Sequence, residues 1–273
     1  MKKIGLIDLT RISMNPKFLR VGMKTIEINL LAGKSWLLRH LHPWYDPEKT
    51  NMFWIPVNQE IQRDDDVVLP YEVVSEFIDR SSCRVIVDFC GCREAFECKD
   101  HPRDIGCLMM GEDAKQISTA FSRQVTKKEA HDHLKKAVDS GLPPFIGKAR
   151  IDDYIFGVKN TGRLLTVCFC CDCCCLTRWF KYAPSATRNA SMHRLEGLDI
   201  RVNADKCVGC KKCMEKCFLD LISEKDGKAY IPIDCRGCGR CISACSKNAI
   251  EISLNNPDFI NNTIKRIEKY VSS

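Results

Sequence analysis

Apolar residues recur along this chain with two different periods, which together predict a mixed fold of helices and strands. After Leu69-Pro70, residues 71–78 carry apolar side chains at helical spacing, and proline in a first turn is typical of a helix start. Thr126-Lys127-Lys128-Glu129 is a capping box and predicts a second helix through about Asp139. A last helix is predicted after Asn256-Pro257, with an apolar stripe that packs back on a domain.

Runs rich in β-branched and apolar residues predict strands, and two of them lead directly into cysteine-rich loops. Residues 84–89 favour a buried strand ending at Cys90, and residues 164–167 favour one ending at Cys168. We expect the two loops to lie side by side, at the ends of neighbouring strands in one sheet. Other runs predict strands over residues 4–10 and 25–31, a helix over 112–121, and strand and turn over 147–163.

The composition adds one informative feature to this predicted fold: 19 of the 273 residues are cysteines. They cluster at spacings typical of metal ligands, and such thiolates must stay reduced, so we expect an anaerobic or strongly reducing cytoplasm and not a disulfide framework. No apolar run is long enough for a membrane helix. Asp8 and Arg11 interrupt the first apolar run too early for a secretory signal.

Eight cysteines near the C-terminal end repeat one spacing twice. They are Cys207-x₂-Cys210-x₂-Cys213-x₃-Cys217 and Cys235-x₂-Cys238-x₂-Cys241-x₃-Cys245. Over about residues 196–254 the chain resembles the two-cluster bacterial ferredoxins, which implies a pseudo-twofold fold of β-hairpins and short helices, and electron transfer. That family usually has proline after the fourth cysteine, where this chain has Phe218 and Ser246. Their presence puts the rigidity of the loops in doubt, but not ligation. A pair of zinc sites is the alternative.

A 4Fe–4S cubane needs four thiolates at the corners of a tetrahedron. One tight loop can supply three of them, and the other repeat supplies the fourth. We therefore assign Cys207, Cys210, Cys213 and Cys245 to the first cluster, and Cys235, Cys238, Cys241 and Cys217 to the second. Each oxidised cluster with its thiolates adds about −2, so two clusters reduce the formal net charge of +7 to about +3. This modest charge does not predict a nucleic-acid partner.

A second set of cysteines lies in the two N-terminal loops. Its candidate ligands are Cys90, Cys92, Cys98, Cys107, Cys168, Cys170, Cys171, Cys173, Cys174 and Cys175. At least one further iron–sulfur cluster is the predicted cofactor, with Arg93 and Lys99 offsetting thiolate charge; zinc or unliganded buried thiols are the alternatives. Cys83 is interpreted as a buried thiol, and His101 as a hydrogen-bonding residue. Residues 70–180 resemble a loose group of ferredoxin-like proteins from anaerobes, a resemblance that gives no catalytic assignment.

The patterns together predict two domains. An α+β or α/β domain with cysteine-rich loops at strand ends occupies residues 1–180, and residues 181–195 form a linker. A dicluster ferredoxin-like domain follows over 196–254, and a C-terminal helix over 255–273.

Three functions fit these features. The first is an electron-transfer protein that connects two C-terminal 4Fe–4S clusters with an N-terminal iron–sulfur site and a partner redox enzyme, with Lys211, Lys212 and Lys216 steering an acidic partner. The second is a redox enzyme whose N-terminal cluster binds a sulfur species or another small substrate. The third is an iron–sulfur carrier or scaffold. The sequence has no P-loop, glycine-rich nucleotide loop or Ser–His–Asp signature, and it indicates neither catalytic residues nor an oligomeric state.

Overall fold

A computed structural model describes residues 16–31, 35, 50–56, 61–63, 66–159 and 161–271. Its α-helices are α1 (Pro16–Leu31), α2 (Glu72–Arg80), α3 (Gly91–Ala95), α4 (Lys127–Asp139), α5 (Arg150–Ile155), α6 (Ser185–Ser191), α7 (Lys212–Glu215), α8 (Arg240–Ser243) and α9 (Phe259–Glu268). Residues Glu112–Gln116 and Leu176–Tyr182 form 3₁₀ turns. The strand predicted over residues 4–10 lies outside the described residues.

A seven-stranded sheet organises the N-terminal part of the chain. Its strands are β1 (Thr50–Trp54), β4 (Arg84–Val87), β5 (Leu108–Met110), β6 (Ser122–Gln124), β7 (Pro144–Ala149), β8 (Leu165–Phe169) and β9 (Met192–His193). They lie in the order β6-β4-β5-β8-β7-β1-β9, and only the pairing of β1 with β9 is parallel. Two short strands, β2 (Ile61–Arg63) and β3 (Asp66–Val68), pair separately as an antiparallel ladder.

Both faces of this sheet are buried. Alternate residues along a strand point to opposite sides, and the residues on each side belong to a different apolar core. On β4 and β5, Ile86 and Leu108 belong to the larger core, whereas Val85 and Met109 belong to the smaller one. Helices α2, α4 and α9 contribute apolar residues to the larger core, and α1 contributes to the smaller one. The sheet is thus held between two layers, and its edge carries the loops that contain cysteine.

The elements with a strong local signal are confirmed. The helix expected after Pro70 begins at Glu72, and the one expected after Thr126 has the predicted capping box, since Glu129 N–H donates to Thr126 Oγ1 at 3.3 Å. The C-terminal helix is confirmed over Phe259–Glu268. The fold class is mixed α and β, as predicted.

The strand predicted over residues 25–31 is wrong, because these residues complete helix α1. Leu19 and Met23, one helical turn apart, are buried in the smaller core, and Arg178 pairs with Glu27 at 2.7 Å. These contacts outweigh the preference of the β-branched residues for a strand.

Two other predictions need correction. Residues 147–163 contain the end of β7 and then helix α5, and not strand and turn alone. The helix expected over 112–121 is limited to the 3₁₀ turn Glu112–Gln116. Ile117 already has extended dihedral angles, and Ser122 enters strand β6.

The C-terminal module consists of two antiparallel strand pairs and two single-turn helices. Strand β10 (Leu198–Val202) pairs with β13 (Ile250–Leu254), and β11 (Ser223–Lys225) pairs with β12 (Lys228–Tyr230). The segment 181–195, expected to be a linker, contains α6 and the edge strand β9, so the chain continues from the main sheet into this module.

Among the described residues, no helix combines the length and the apolar character that a membrane crossing requires.

Candidate metal centres

The first four assigned ligands surround one cavity of the C-terminal module. Cys207, Cys210, Cys213 and Cys245 all line it, although Cys245 comes from the second repeat. Gly209 has φ of +68°, which lets the loop turn sharply between the first two thiols. A cubane bound by these residues would draw three thiolates from one loop and one from the other, as the spacing predicts.

Backbone conformation repeats between the two halves of the module. Positive φ angles occur at equivalent places in each half, at Gly209 and Gly237, Lys211 and Gly239, and Asp220 and Asn248. The backbone N–H groups of Leu221 and Ala249 donate to the sulfurs of Cys217 and Cys245, both at 3.3 Å. Such amide–sulfur bonds stabilise thiolates, so the donor set fits two equivalent iron–sulfur sites.

The two sets of four thiols differ in their surroundings. Hydrogen bonds from the backbone of Ala229 and Gly209 hold the pKa of Cys207 below its ordinary value. In the second set, burial raises the pKa of Cys235 to about 11 and that of Cys241 further. Cys210 of the first set is exposed, whereas no thiol of the second set is. The first set therefore offers one thiol directly to solvent.

Two contacts join the second set to the cysteine-rich loop of the N-terminal domain. Arg240, next to Cys241, donates from a guanidinium nitrogen to the backbone carbonyl of Cys170 at 2.9 Å, and the same guanidinium lies 5.0 Å from the Phe218 ring. Lys216, next to Cys217, pairs with Asp172 at 2.6 Å. Both contacts reach the loop that follows β8.

Three strands deliver cysteines to one edge of the main sheet. β4 and β8 both end there and are parallel to each other, because β5 lies between them and is antiparallel to both. We expected β4 and β8 to be neighbours, and this is corrected, because β5 separates them. Since β5 begins at this edge, Cys107 comes to lie beside Cys168, with their sulfurs 3.6 Å apart.

Four of these thiols influence one another's ionisation. The pKa values of Cys90 and Cys92, of Cys92 and Cys175, and of Cys175 and Cys170 depend on each other. Hydrogen bonds from its partners lower the pKa of Cys175 well below its ordinary value, and the bond from Cys92 lowers that of Cys90 to about 7. Two thiols of this group therefore favour the thiolate form that metals bind.

A second group of four thiols is packed closely together. The sulfurs of Cys98, Cys171, Cys173 and Cys174 all lie within 4.8 Å of one another, and those of Cys98 and Cys173 are 3.5 Å apart. Cys83, by contrast, is buried in the smaller core, where burial raises the pKa of its thiol.

A cavity of about 130 Å³ lies beside the thiols at the sheet edge. All the thiols of the N-terminal loops except those of Cys98, Cys173 and Cys174 line it, together with apolar side chains such as Leu19 and Phe156. A cavity of about 150 Å³ in a protein core is large enough to bind benzene. This one therefore has room for a cluster core or for a small ligand.

Arg93 places a buried positive charge next to these thiols. Its side chain is fully buried and donates to the carbonyls of Pro102 at 2.7 Å, Phe169 at 2.6 Å, and Ile105. Burial lowers the pKa of this guanidinium, but the thiolates of Cys90 and its neighbours raise it to a net value above normal. A buried cation needs a counter-charge, which here is supplied by sulfur.

Asp152 is a second ionisable group on the cavity wall. It is buried, its Oδ2 has no hydrogen-bond partner, and burial raises the pKa of the carboxyl to about 7. The sequence drew no attention to it, because an aspartate in a helix is ordinarily a surface residue.

We expect Asp152 to make the protein less stable as the pH rises from about 4 to about 7. The folded state keeps the proton in this range while the unfolded state gives it up, so folding loses free energy. The advantage of an Asp152→Asn variant over the native chain should then grow by about 1 kcal/mol between pH 6 and pH 8. Anaerobic chemical unfolding at both pH values measures this, and an equal difference at the two would show that Asp152 is ionised throughout.

Comparison with known proteins agrees with the C-terminal geometry. Residues 206–250 match the family described as 4Fe-4S dicluster domain. Over 58 residues the chain is 36% identical to indolepyruvate oxidoreductase subunit IorA of Methanothermobacter marburgensis. The aligned segment covers 21% of this chain and 9% of that protein. No solved structure matches the chain significantly. The predicted two-cluster ferredoxin-type domain is confirmed, and with it an iron–sulfur redox or electron-transfer role. The resemblance over residues 70–180 stays a prediction.

Proposed function

We propose that this chain is an electron-transfer protein in which the C-terminal module connects an external redox partner with an iron–sulfur site at the edge of the N-terminal sheet. A 4Fe–4S cluster, when bound, supplies reversible one-electron transfer at low potential. The observation that carries the proposal is the contact of Arg240 with the carbonyl of Cys170, because it joins the two cysteine-rich regions directly.

The second set of ligands is the one held against the N-terminal domain. Arg236, between Cys235 and Cys238, donates to the backbone carbonyl of Met192 at 2.9 Å, and Arg188 pairs with Asp234 at 3.3 Å. With the Arg240 and Lys216 contacts, these bonds fix the second ligand loop on the sheet edge. A fixed short separation between redox centres is what electron transfer within one chain requires.

The first set of ligands is accessible to a partner. Val208, beside Cys207, is 62% exposed, and Cys210 is exposed as well. The predicted steering role of the lysines changes in part, because Lys216 pairs with Asp172 and Lys211 pairs with Glu224 at 2.5 Å. We therefore assign the partner surface to the exposed side chains of Val208 and Cys210, and not to the paired lysines Lys211 and Lys216.

The thiols of Cys90, Cys92, Cys170 and Cys175 are the proposed ligands of the N-terminal cluster. Three observations fit a cluster here: the four thiols share one cavity wall, their pKa values depend on one another, and the buried cation of Arg93 lies beside them. Cys107 and Cys168 complete the wall of the cavity on the side of β5 and β8.

The test is analysis of iron and acid-labile sulfide in anaerobically purified protein. We expect about twelve irons per chain, four for each of three cubanes. A Cys90→Ala/Cys92→Ala variant should lose about four irons with the matching sulfide and keep the absorption of the C-terminal clusters.

The control is Cys83→Ala, which removes a buried thiol outside both thiol groups and should leave the iron content unchanged. About eight irons in the native chain, or unchanged iron in the double variant, would contradict the N-terminal cluster.

A redox enzyme is the second candidate function, and the cavity favours it. Asp152, whose carboxyl has a pKa raised by burial to about 7, lies on a wall formed mainly by thiols and apolar groups. A small apolar ligand bound there would meet a proton donor beside the proposed cluster. A change in the spectrum of the N-terminal cluster when a small thiol or sulfide is added to the native chain, lost in Asp152→Ala, would support this function.

A further inference from the structure

We propose that Cys98, Cys171, Cys173 and Cys174 bind a single tetrahedral metal ion of the zinc class, separate from the iron–sulfur clusters. The site would join the loop after α3 to the loop after β8, where the C-terminal module contacts the sheet edge. It uses thiols that the proposed N-terminal cluster does not need.

The distances between the sulfurs favour one ion over a cubane. A tetrahedral ion with metal–sulfur bonds of about 2.3 Å keeps its four sulfurs about 3.8 Å apart. The four sulfurs here lie within 4.8 Å of one another, and one pair is at 3.5 Å. In a cubane each thiolate binds a different iron, so its ligands are spread more widely. Three of the four, Cys98, Cys173 and Cys174, are also absent from the wall of the 130 Å³ cavity, and Cys171 is the one that reaches it.

The backbone positions these thiols. Cys98 N–H donates to the carbonyl of Arg93 at 2.9 Å, which closes helix α3 and leaves Glu97 with φ of +51°. This conformation is unfavourable for a residue other than glycine. On the other loop, Cys174 N–H donates to the sulfur of Cys171 at 3.2 Å, as amides around bound thiolates do.

Asp172 lies between two of the ligands and is held from both sides. His101 Nε2 is 3.1 Å from one carboxylate oxygen, and Lys216 Nζ is 2.6 Å from the other. His101 lies in the same loop as Cys98, and Lys216 directly precedes Cys217 of the second C-terminal set. His101, Asp172 and Cys173 also lie close enough together to ligate an ion, but the imidazole and carboxylate already bond to each other. We therefore place them around the site and not in it.

An ion at this site would fix Asp172 where it meets Lys216. The loop after β8 has Asp172 among the ligand cysteines, so binding of the metal limits how far this carboxylate can move from the C-terminal module. The site has four protein ligands and leaves no open position, which is typical of a structural metal site.

Metal analysis of the full-length chain tests this proposal. We expect one zinc per chain, or one iron without matching sulfide, in addition to the cluster iron. X-ray absorption at the zinc edge of native protein should give four sulfur neighbours at about 2.3 Å, and this measurement needs no variant.

Variants identify the ligands. Cys98→Ala and Cys174→Ala should each lose that one ion and no sulfide, whereas His101→Ala and Cys83→Ala should keep it. Loss of about four irons with four sulfides from Cys98→Ala would assign these thiols to a cubane and overturn the proposal. Native protein without an ion unmatched by sulfide would also overturn it. The proposed cluster at Cys90 and Cys92 does not affect this test. Its iron is accompanied by an equal amount of sulfide, whereas the single ion has none.

Discussion

Replacing Cys213 with alanine is expected to remove at least one complete cluster, about four irons and four sulfides per chain, and to unfold much of the C-terminal module. Cys213 is buried, lines the cavity of the first ligand set, and packs in a small core with Ile200 and Ile250. The module's own core is small, and the rest of its apolar residues, such as Leu198 and Leu254, join the larger core. We therefore expect bound metal to supply much of the free energy that folds the ligand loops. Anaerobic iron and sulfide analysis with EPR of the reduced protein measures the loss.

Cys83→Ala is the matched control, because it also deletes a buried thiol but from the smaller core of the main sheet. It should keep all iron and cost about 1 kcal/mol or more in the free energy of unfolding, as small core truncations do. If Cys213→Ala kept its full iron and sulfide, the assignment of the first ligand set would be wrong. If the native protein held zinc in these loops and no iron, the electron-transfer function itself would fail.

The C-terminal module could be predicted because the spacing of cysteines within each short loop identifies the candidate cluster ligands. Three ligands of each set lie within seven positions, so a single loop fixes their geometry whatever the rest of the chain does. Only the exchange of Cys217 and Cys245 between repeats is long-range, and the resemblance to known ferredoxins implied it. Cys245 lines the cavity of the first set, and its role as a ligand stays a prediction.

The N-terminal site could be predicted only in outline. The sequence indicated that strands deliver Cys90 and Cys168 to one edge, but it could not show that β5 lies between them. For this reason the neighbour of Cys168 is Cys107 and not Cys90. The division of the thiols into two groups of four also depends on tertiary contacts between loops more than 70 residues apart, which no spacing rule contains.

Charged residues show the same limit. Arg93 was expected to offset thiolate charge, and it does lie among the thiols, but nothing in the sequence indicated that it is fully buried or that it bonds to three carbonyls. Lys216 was expected to steer a partner, yet it is paired within the chain. The role of a long basic side chain depends on what folds against it.

Arg93→Met is the second change with a large expected effect. Methionine fits the volume of the apolar stem, but it leaves the carbonyls of Pro102, Ile105 and Phe169 without their donor and removes the charge that balances the thiolates. We expect the free energy of unfolding to fall by on the order of 3–5 kcal/mol. We also expect the N-terminal cluster, about four irons, to be lost while the C-terminal clusters remain.

Arg93→Lys separates the two causes of this loss. Lysine keeps the positive charge but has a single ammonium in place of the planar fork that reaches three carbonyls. If charge retains the cluster, the lysine variant should keep about twelve irons and still lose part of its stability. If hydrogen bonding to the loops is what matters, both variants should lose the same four irons. A methionine variant with full iron and an unchanged reduction potential would show that Arg93 does not balance the charge of the thiols at the sheet edge, and its role in retaining the cluster would have to be abandoned.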